Sequence, residues 1–293
     1  MFNKIKMELL NLGLKFMNVD EKIVRMILET KTSNVNEIVI MPAVKLVMKK
    51  IVKSLQNKRV YGRVYNGKLN NVNVSVIRSL IGCPHTAMTV ECLKRCSTKV
   101  ILRVDVCGGI NTASTPIDVG DIVVPNLAYT GDGTSPHYLL KYPDHLEELK
   151  RIKNPCGNSQ NVYAGSEDIY IANPDSTLNT LIRQKGKQNF GDQVKARDLW
   201  TTDAMFCETE DFINALKSIE IGAVDMESSI LFLLGAIYNI KTTSILSVSD
   251  LPGDSKYDMF KTNEIHPNLE TGVNDAIKLA LECLPEIASE FSL

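Results

Sequence analysis

The chain has almost no net charge: 33 Lys and Arg stand against 34 Asp and Glu in 293 residues, a formal charge of −1. That balance removes the electrostatic case for a dedicated nucleic-acid binder. Long hydrophobic runs are also missing. The longest apolar stretch, Ser228 to Ile240, is bounded by Glu227 and Lys241 and falls about 5 residues short of a bilayer-spanning helix, so no membrane partner is expected. The seven cysteines form an odd set without a CxxC pair, and the four histidines are scattered. A disulfide framework and a zinc site are both unsupported. The amino terminus mixes Lys, Glu and Asn into its Leu and Met and lacks the unbroken apolar core of a secretory signal, so a cytoplasmic location is expected. What the chain does have is 44% hydrophobic residues, enough for one large core.

Patterning divides that core into elements. Residues 3–30 carry apolar positions at three- and four-residue spacing, which predicts one or two helices in a leader over 1–34, appended to a single α/β domain over 35–293. Glu37 to Met41 is a β-branched run ended by Pro42, followed by helical spacing over Lys45 to Leu55. Asn71 to Arg78 predicts a strand, Pro84 to Cys96 a helix, and Val100 to Val106 a strand running into Cys107, Gly108 and Gly109. A strand, helix and strand in this span form a βαβ unit, which sets the class as α/β. Asp121 to Pro125 and Ile169 to Ala172 predict further strands. Tyr142 to Gln193 is polar and reads as an excursion within the domain, with Arg183 to Gln193 loop-like. Later come a helix over Glu210 to Ser218, a strand over Ala223 to Asp225, a helix over Glu227 to Tyr238, a strand over Thr243 to Val248, and a terminal helix capped at Thr271.

Ligands of parallel sheets collect at the carboxyl ends of strands, which singles out Cys107-Gly108-Gly109 and Ser249-Asp250. Taken alone, the glycine pair is as well explained by a tight turn, and Asp250 by an N-cap. Asp225 and Glu227 precede an apolar helix. Two acids there could simply complement the helix dipole, but a carboxylate in that setting must be exposed or hydrogen-bonded, and it could grip two sugar hydroxyls.

Five ordered segments carry a resemblance: Arg103-Val-Asp-Val-Cys-Gly-Gly-Ile-Asn, Val119-Gly-Asp-Ile-Val-Val-Pro, Asp132-Gly-Thr-Ser-Pro-His-Tyr-Leu, Val224-Asp-Met-Glu-Ser-Ser and Leu246-Ser-Val-Ser-Asp. In this order they resemble signatures of the nucleoside phosphorylase family, of the purine nucleoside and uridine phosphorylase type. The resemblance implies a single α/β domain with a twisted mixed sheet surrounded by helices. It also implies a homo-oligomer, a dimer or trimer of dimers, with sites near subunit boundaries. The implied reaction is phosphorolysis of a nucleoside to free base and pentose 1-phosphate, a salvage reaction using phosphate as co-substrate and no metal or organic cofactor.

Carried over by position, Glu227 grips the ribose hydroxyls, Met226 packs under the sugar, and Asp250 protonates a purine leaving group. Trp200 stacks on the base, Arg103 binds phosphate, and Asp225, Cys107, Gly108 and Ser249 complete the substrate pocket. Asp250 favours a purine over uridine. The phosphate half departs from the pattern. The usual Gly-Asp-Pro-x-Arg loop is replaced by Pro42-Ala-Val-Lys-Leu-Val, and the usual Gly-Ser/Thr after Arg-x by Asp105-Val106. Arg59 is the candidate for the arginine that a neighbouring subunit usually donates. Three readings stay open: a purine nucleoside phosphorylase with an altered phosphate pocket, a hydrolytic nucleosidase, and a non-catalytic paralogue that completes a hetero-oligomer.

Overall fold

The computed structural model describes residues 17–112, 114–160 and 162–293. Eleven strands form one mixed sheet: β1 (Ile38–Ile40), β2 (Gln56–Tyr61), β3 (Val64–Leu69), β4 (Val72–Ile77), β5 (Val100–Gly109), β6 (Ile122–Tyr129), β7 (Arg151–Lys153), β8 (Asp168–Ala172), β9 (Val194–Thr201), β10 (Ala223–Asp225) and β11 (Lys241–Asp250). The helices are α1 (Val19–Leu28), α2 (Lys45–Lys53), α3 (Cys83–Leu93), α4 (Ser135–Lys141), α5 (Pro143–Leu146), α6 (Ser176–Phe190), α7 (Glu210–Ser218), α8 (Ser228–Tyr238) and α9 (Leu269–Glu290). The strands follow the order β2-β3-β4-β1-β5-β10-β9-β6-β8-β7, while β11 pairs with both β5 and β6.

Strand β5 lies at the centre because its side chains are buried on both faces. Ile101 belongs to one apolar cluster with Val24 of α1, Val90 of α3 and Leu231 of α8. Its neighbour Leu102 belongs to another with Val47 of α2, Ile182 of α6 and Ile277 of α9. Side chains alternate across a strand, so one β-branched run serves two helical layers. Strand β11 runs parallel to β5 from Lys241↔Val100 onward, and β10 lies antiparallel to its end at Val224↔Gly108. Three strand termini therefore meet at one place.

Several expectations change. The described part of the leader is no appendage: Val24 and Leu28 of α1 are buried in the main core. Its earlier half lies outside the described residues. The hairpin β2–β3 has no signal in the sequence because β2 is almost wholly exposed, and its apolar residues, Val60 and Tyr61, are adjacent and do not alternate with polar ones. Arg183 to Gln193 is not a loop over its first part. It completes α6, which Asp175 caps by accepting from the Leu178 N–H and which buries Leu178, Ile182 and Gly186. The terminal helix begins at Leu269, before Thr271.

Candidate functional site

At the carboxyl ends of β5, β10 and β11 lies a cavity of about 220 Å³. Eight residues singled out in the sequence line it: Arg103, Cys107, Gly108, Asp225, Met226, Glu227, Ser249 and Asp250. Local geometry explains why they converge. Arg103, Asp105 and Cys107 occupy alternate positions of β5 and so share one face. Gly108 neither turns the chain nor has a positive φ; it is the penultimate residue of β5, where a Cβ would lie 2.7 Å from Pro252 Cγ and 2.9 Å from Val224 Cγ1. Its register against β11 shifts between Val248 and Asp250, a bulge that re-aims the strand end. Ser249 Oγ then donates to the Cys107 carbonyl at 3.1 Å and lies 2.7 Å from Asp250 Oδ1.

Charge is concentrated around Arg103, which is 2% exposed. Its guanidinium bonds Glu227 Oε2, reaches Asp225 Oδ2 at 2.9 Å and lies 3.9 Å from Asp105 Oδ2. Three carboxylates thus surround one cation. Asp225 spends its remaining capacity inside the protein, accepting from Thr201 Oγ1 at 2.8 Å and from the Ser228 hydroxyl at 2.6 Å. It therefore positions Arg103 and the start of α8. Glu227 Oε1 accepts from the Gly82 N–H at 2.8 Å, in the turn before α3. Each carboxylate oxygen offers two acceptor sites, so one on each remains for a ligand. Burial pushes the Glu227 carboxyl up from its ordinary range, against the pull of the Arg103 guanidinium.

Asp105 shows what became of the phosphate loop. The N–H groups of Ala43 and Val44 donate to its Oδ2, the second at 3.3 Å. The carbonyls of that loop are tied elsewhere: Pro42 O accepts from the Ser79 N–H at 3.0 Å, and Ala43 O from Arg78 Nε at 2.8 Å. Amides therefore converge at the amino terminus of α2, an arrangement suited to an anion. The anion present is a side chain of the same protein. Burial raises the Asp105 pKa, while Arg103 and the Ala43 N–H oppose the rise.

At the other side of the cavity burial pushes Asp250 up to about 6, with Asp258 adding to the rise and the Ser249 hydroxyl opposing it. Glu208, which the sequence reading missed, also lines the cavity. Burial, with help from Asp250 and Asp258, pushes it up to about 8. It is half-buried, and in the sequence it reads as one of several acids around the start of α7, with no local pattern to mark it.

Two expected residues are elsewhere. Trp200 does not line the cavity: its indole is fully buried against Tyr129, with ring centroids 6.1 Å apart, and against Phe212. The β9 alternation turns it into a separate apolar cluster. The same segment instead presents Met205 to the cavity, near Met259 and Phe260. Arg59 sits on exposed β2 and does not line this cavity; as a residue for a neighbouring subunit it stays an expectation. Among the described residues no group of three or more His, Cys, Asp or Glu could hold a metal ion, and no helix is long and apolar enough to cross a membrane.

The sequence model described as "Phosphorylase superfamily" matches residues 37–285. A guanosine phosphorylase of Halorubrum lacusprofundi is 21% identical over 224 residues, 76% of this chain and 80% of that protein. A DeoD-type purine nucleoside phosphorylase of Buchnera aphidicola subsp. Acyrthosiphon pisum is 24% identical over 263 residues, 87% of this chain and 97% of its own. Among solved structures, uridine phosphorylase from Vibrio fischeri superposes with a TM-score of 0.68 at 20% identity, covering 88% of this chain and 95% of that one. Purine nucleoside phosphorylase from Toxoplasma gondii, in complex with immucillin-H, gives 0.67 at 18% identity, covering 90% and 96%. These two likenesses show the fold, a mixed sheet with surrounding helices.

Proposed function

The chain belongs to the phosphorylase superfamily, and on that premise we propose that it breaks the N-glycosidic bond of a purine nucleoside and transfers the pentosyl group. The observation that carries this reading is one cavity in which the partnered carboxylate Glu227 stands with an acid, Asp250, whose pKa is pushed up to about 6. Glycosidic cleavage builds positive charge on the sugar and negative charge on the base. A carboxylate gripping the ribose hydroxyls serves the first, and a proton donor serves the second. Met226 would pack under the sugar and Met205 against the base. A partly protonated Asp250 suits a purine, which leaves as an anion needing a proton.

In a phosphorylase the acceptor is phosphate. Here the amides that would receive it already hold Asp105, so we expect phosphorolysis to need phosphate at about millimolar levels or above. A like charge about 4 Å away costs roughly 1 kcal/mol in water and roughly 4 kcal/mol at an intermediate protein dielectric. The same reading makes the protein a salvage enzyme without metal or organic cofactor, acting as a homo-oligomer or beside a paralogue. The test is base release from inosine, adenosine and guanosine, with Glu227→Gln as control. Losing a charge-assisted hydrogen bond of about 1.5 to 3 kcal/mol should cut turnover more than tenfold. Unchanged turnover in that variant would remove Glu227 from the site.

A further inference from the structure

We propose that Glu208 selects the base: its carboxyl pairs with the edge of the purine's six-membered ring, while Asp250 serves the five-membered ring. This rests on the glycosidic-cleavage reading above and names what chooses its substrate. Glu208 closes the 3-10 turn Met205–Cys207, and residues three apart in such a turn share a face. Met205 and Glu208 accordingly both line the cavity, while Phe206 and Cys207 between them are exposed. The methionine assigned to the face of the base therefore has a carboxyl one turn further on.

Its polar neighbours are already engaged. Asp258, 3% exposed, accepts from the Gly253 N–H at 2.9 Å, the Phe260 N–H at 3.0 Å and Lys261 Nζ at 3.3 Å. The Ser249 hydroxyl is tied to the Cys107 carbonyl and to Asp250. No hydrogen bond acts on the Glu208 carboxyl among the described residues; burial and the charges of Asp250 and Asp258 do, which sets it within electrostatic reach of both. Met205, Met259 and Phe260 of the lining are apolar, so the few polar groups that orient a base there are Asp250 and Glu208.

A carboxyl that keeps its proton up to about 8 presents one donor and one acceptor side by side. That pair matches adenine, donating to N1 and accepting from the 6-amino group. It also matches hypoxanthine, accepting from N1–H and donating to O6. Once the proton is lost the group can only accept. It then no longer suits adenine N1, but it suits guanine, whose N1–H and 2-amino group are adjacent donors. Glu208 therefore makes the choice of purine depend on pH.

The experiment uses the full chain at saturating phosphate with adenosine, inosine, guanosine and benzimidazole riboside, whose six-membered ring carries no nitrogen and no substituent. Glu208→Leu should lower kcat/KM for adenosine and inosine by about tenfold or more, and for benzimidazole riboside by less than about threefold. Glu208→Gln also offers a donor beside an acceptor, and should keep adenosine and inosine within about threefold of the wild type. In the wild type the ratio of kcat/KM for guanosine to that for adenosine should rise from about pH 7 to about pH 9, across the Glu208 titration near 8. The ratio cancels the loss of the Asp250 proton, which both nucleosides share, and it should stay flat in Glu208→Gln. An equal fall for all four nucleosides in Glu208→Leu, or a wild-type ratio unmoved by pH, would overturn this proposal and leave the cleavage reading standing. No base release from any nucleoside would overturn the cleavage reading. Calorimetry with free adenine then decides this one, which falls if Glu208→Leu binds adenine no more weakly than the wild type does.

Discussion

Replacing Arg103 with Met tests the electrostatic core of the site most directly. The guanidinium is the shared partner of Glu227, Asp225 and Asp105, all buried with it. Methionine preserves much of the stem's volume and removes the charge. Breaking a buried pair by deleting one member typically costs about 3 to 5 kcal/mol, because the other charge is left uncompensated. Here three carboxylates lose their common counter-ion, so the upper part of that range is expected. At roughly 2 to 4 °C of Tm per kcal/mol for a domain this large, the melting temperature should fall by on the order of 10 °C near neutral pH.

The loss should depend on pH with a definite sign. Burial already raises the Glu227 and Asp105 carboxyls, and without the guanidinium both lie further above their unfolded values, so the native state binds more protons. Unfolding free energy then falls as pH rises, by about 1.4 kcal/mol per pH unit for each proton retained, from about pH 4 up to the native pKa. The deficit of the variant relative to wild type should therefore be smaller at about pH 5 than at about pH 8. Thermal unfolding followed by circular dichroism across that interval is the assay. A deficit below about 2 °C, or one that does not grow with pH, would show that Arg103 is not the charge holding these carboxylates.

The wild type should itself melt higher near pH 6 than near pH 8.5, because Asp250 and Glu208 retain protons in the native state up to about 6 and about 8 and lose them as pH rises; a flat or rising Tm over that range would contradict their burial. The rate of base release per unit of free enzyme should decline above pH about 6 as Asp250 loses its proton, and Asp250→Asn should remove that limb from the kcat/KM profile. Gly131→Ala would set a Cβ 2.1 Å from Trp200 Nε1, so a loss of about 1 to 3 kcal/mol is expected in denaturant titration, and an unchanged midpoint would refute the packing. Since the indole is buried outside the cavity, acrylamide should quench Trp200 weakly, and saturating nucleoside should leave that quenching unchanged.

Much of the fold was legible because it rests on local patterning. The β-branched runs of β1, β5 and β11 and the apolar α8 announce themselves, since a strand buried on both faces and a helix buried all round need continuous hydrophobic sequence. The positions of Glu227 and Asp250 were legible from short motifs at strand ends. Helix α6 was obscured because its buried face is only Leu178, Asn179, Ile182 and Gly186 among polar neighbours.

Long-range partners belonged to the tertiary structure alone. That Asp105 would rest on the Ala43 amide, 62 residues away, and that Arg103 would bond Glu227, 124 residues away, depends on which chain ends the sheet brings together. Trp200 is the converse case, an aromatic at a suggestive motif position that strand alternation turned into the core. Sequence determines which side chains must be buried and at what spacing, because those costs are paid residue by residue. Which buried charge meets which is decided by the fold, because a desolvated carboxylate takes whatever donors the assembled sheet sets beside it.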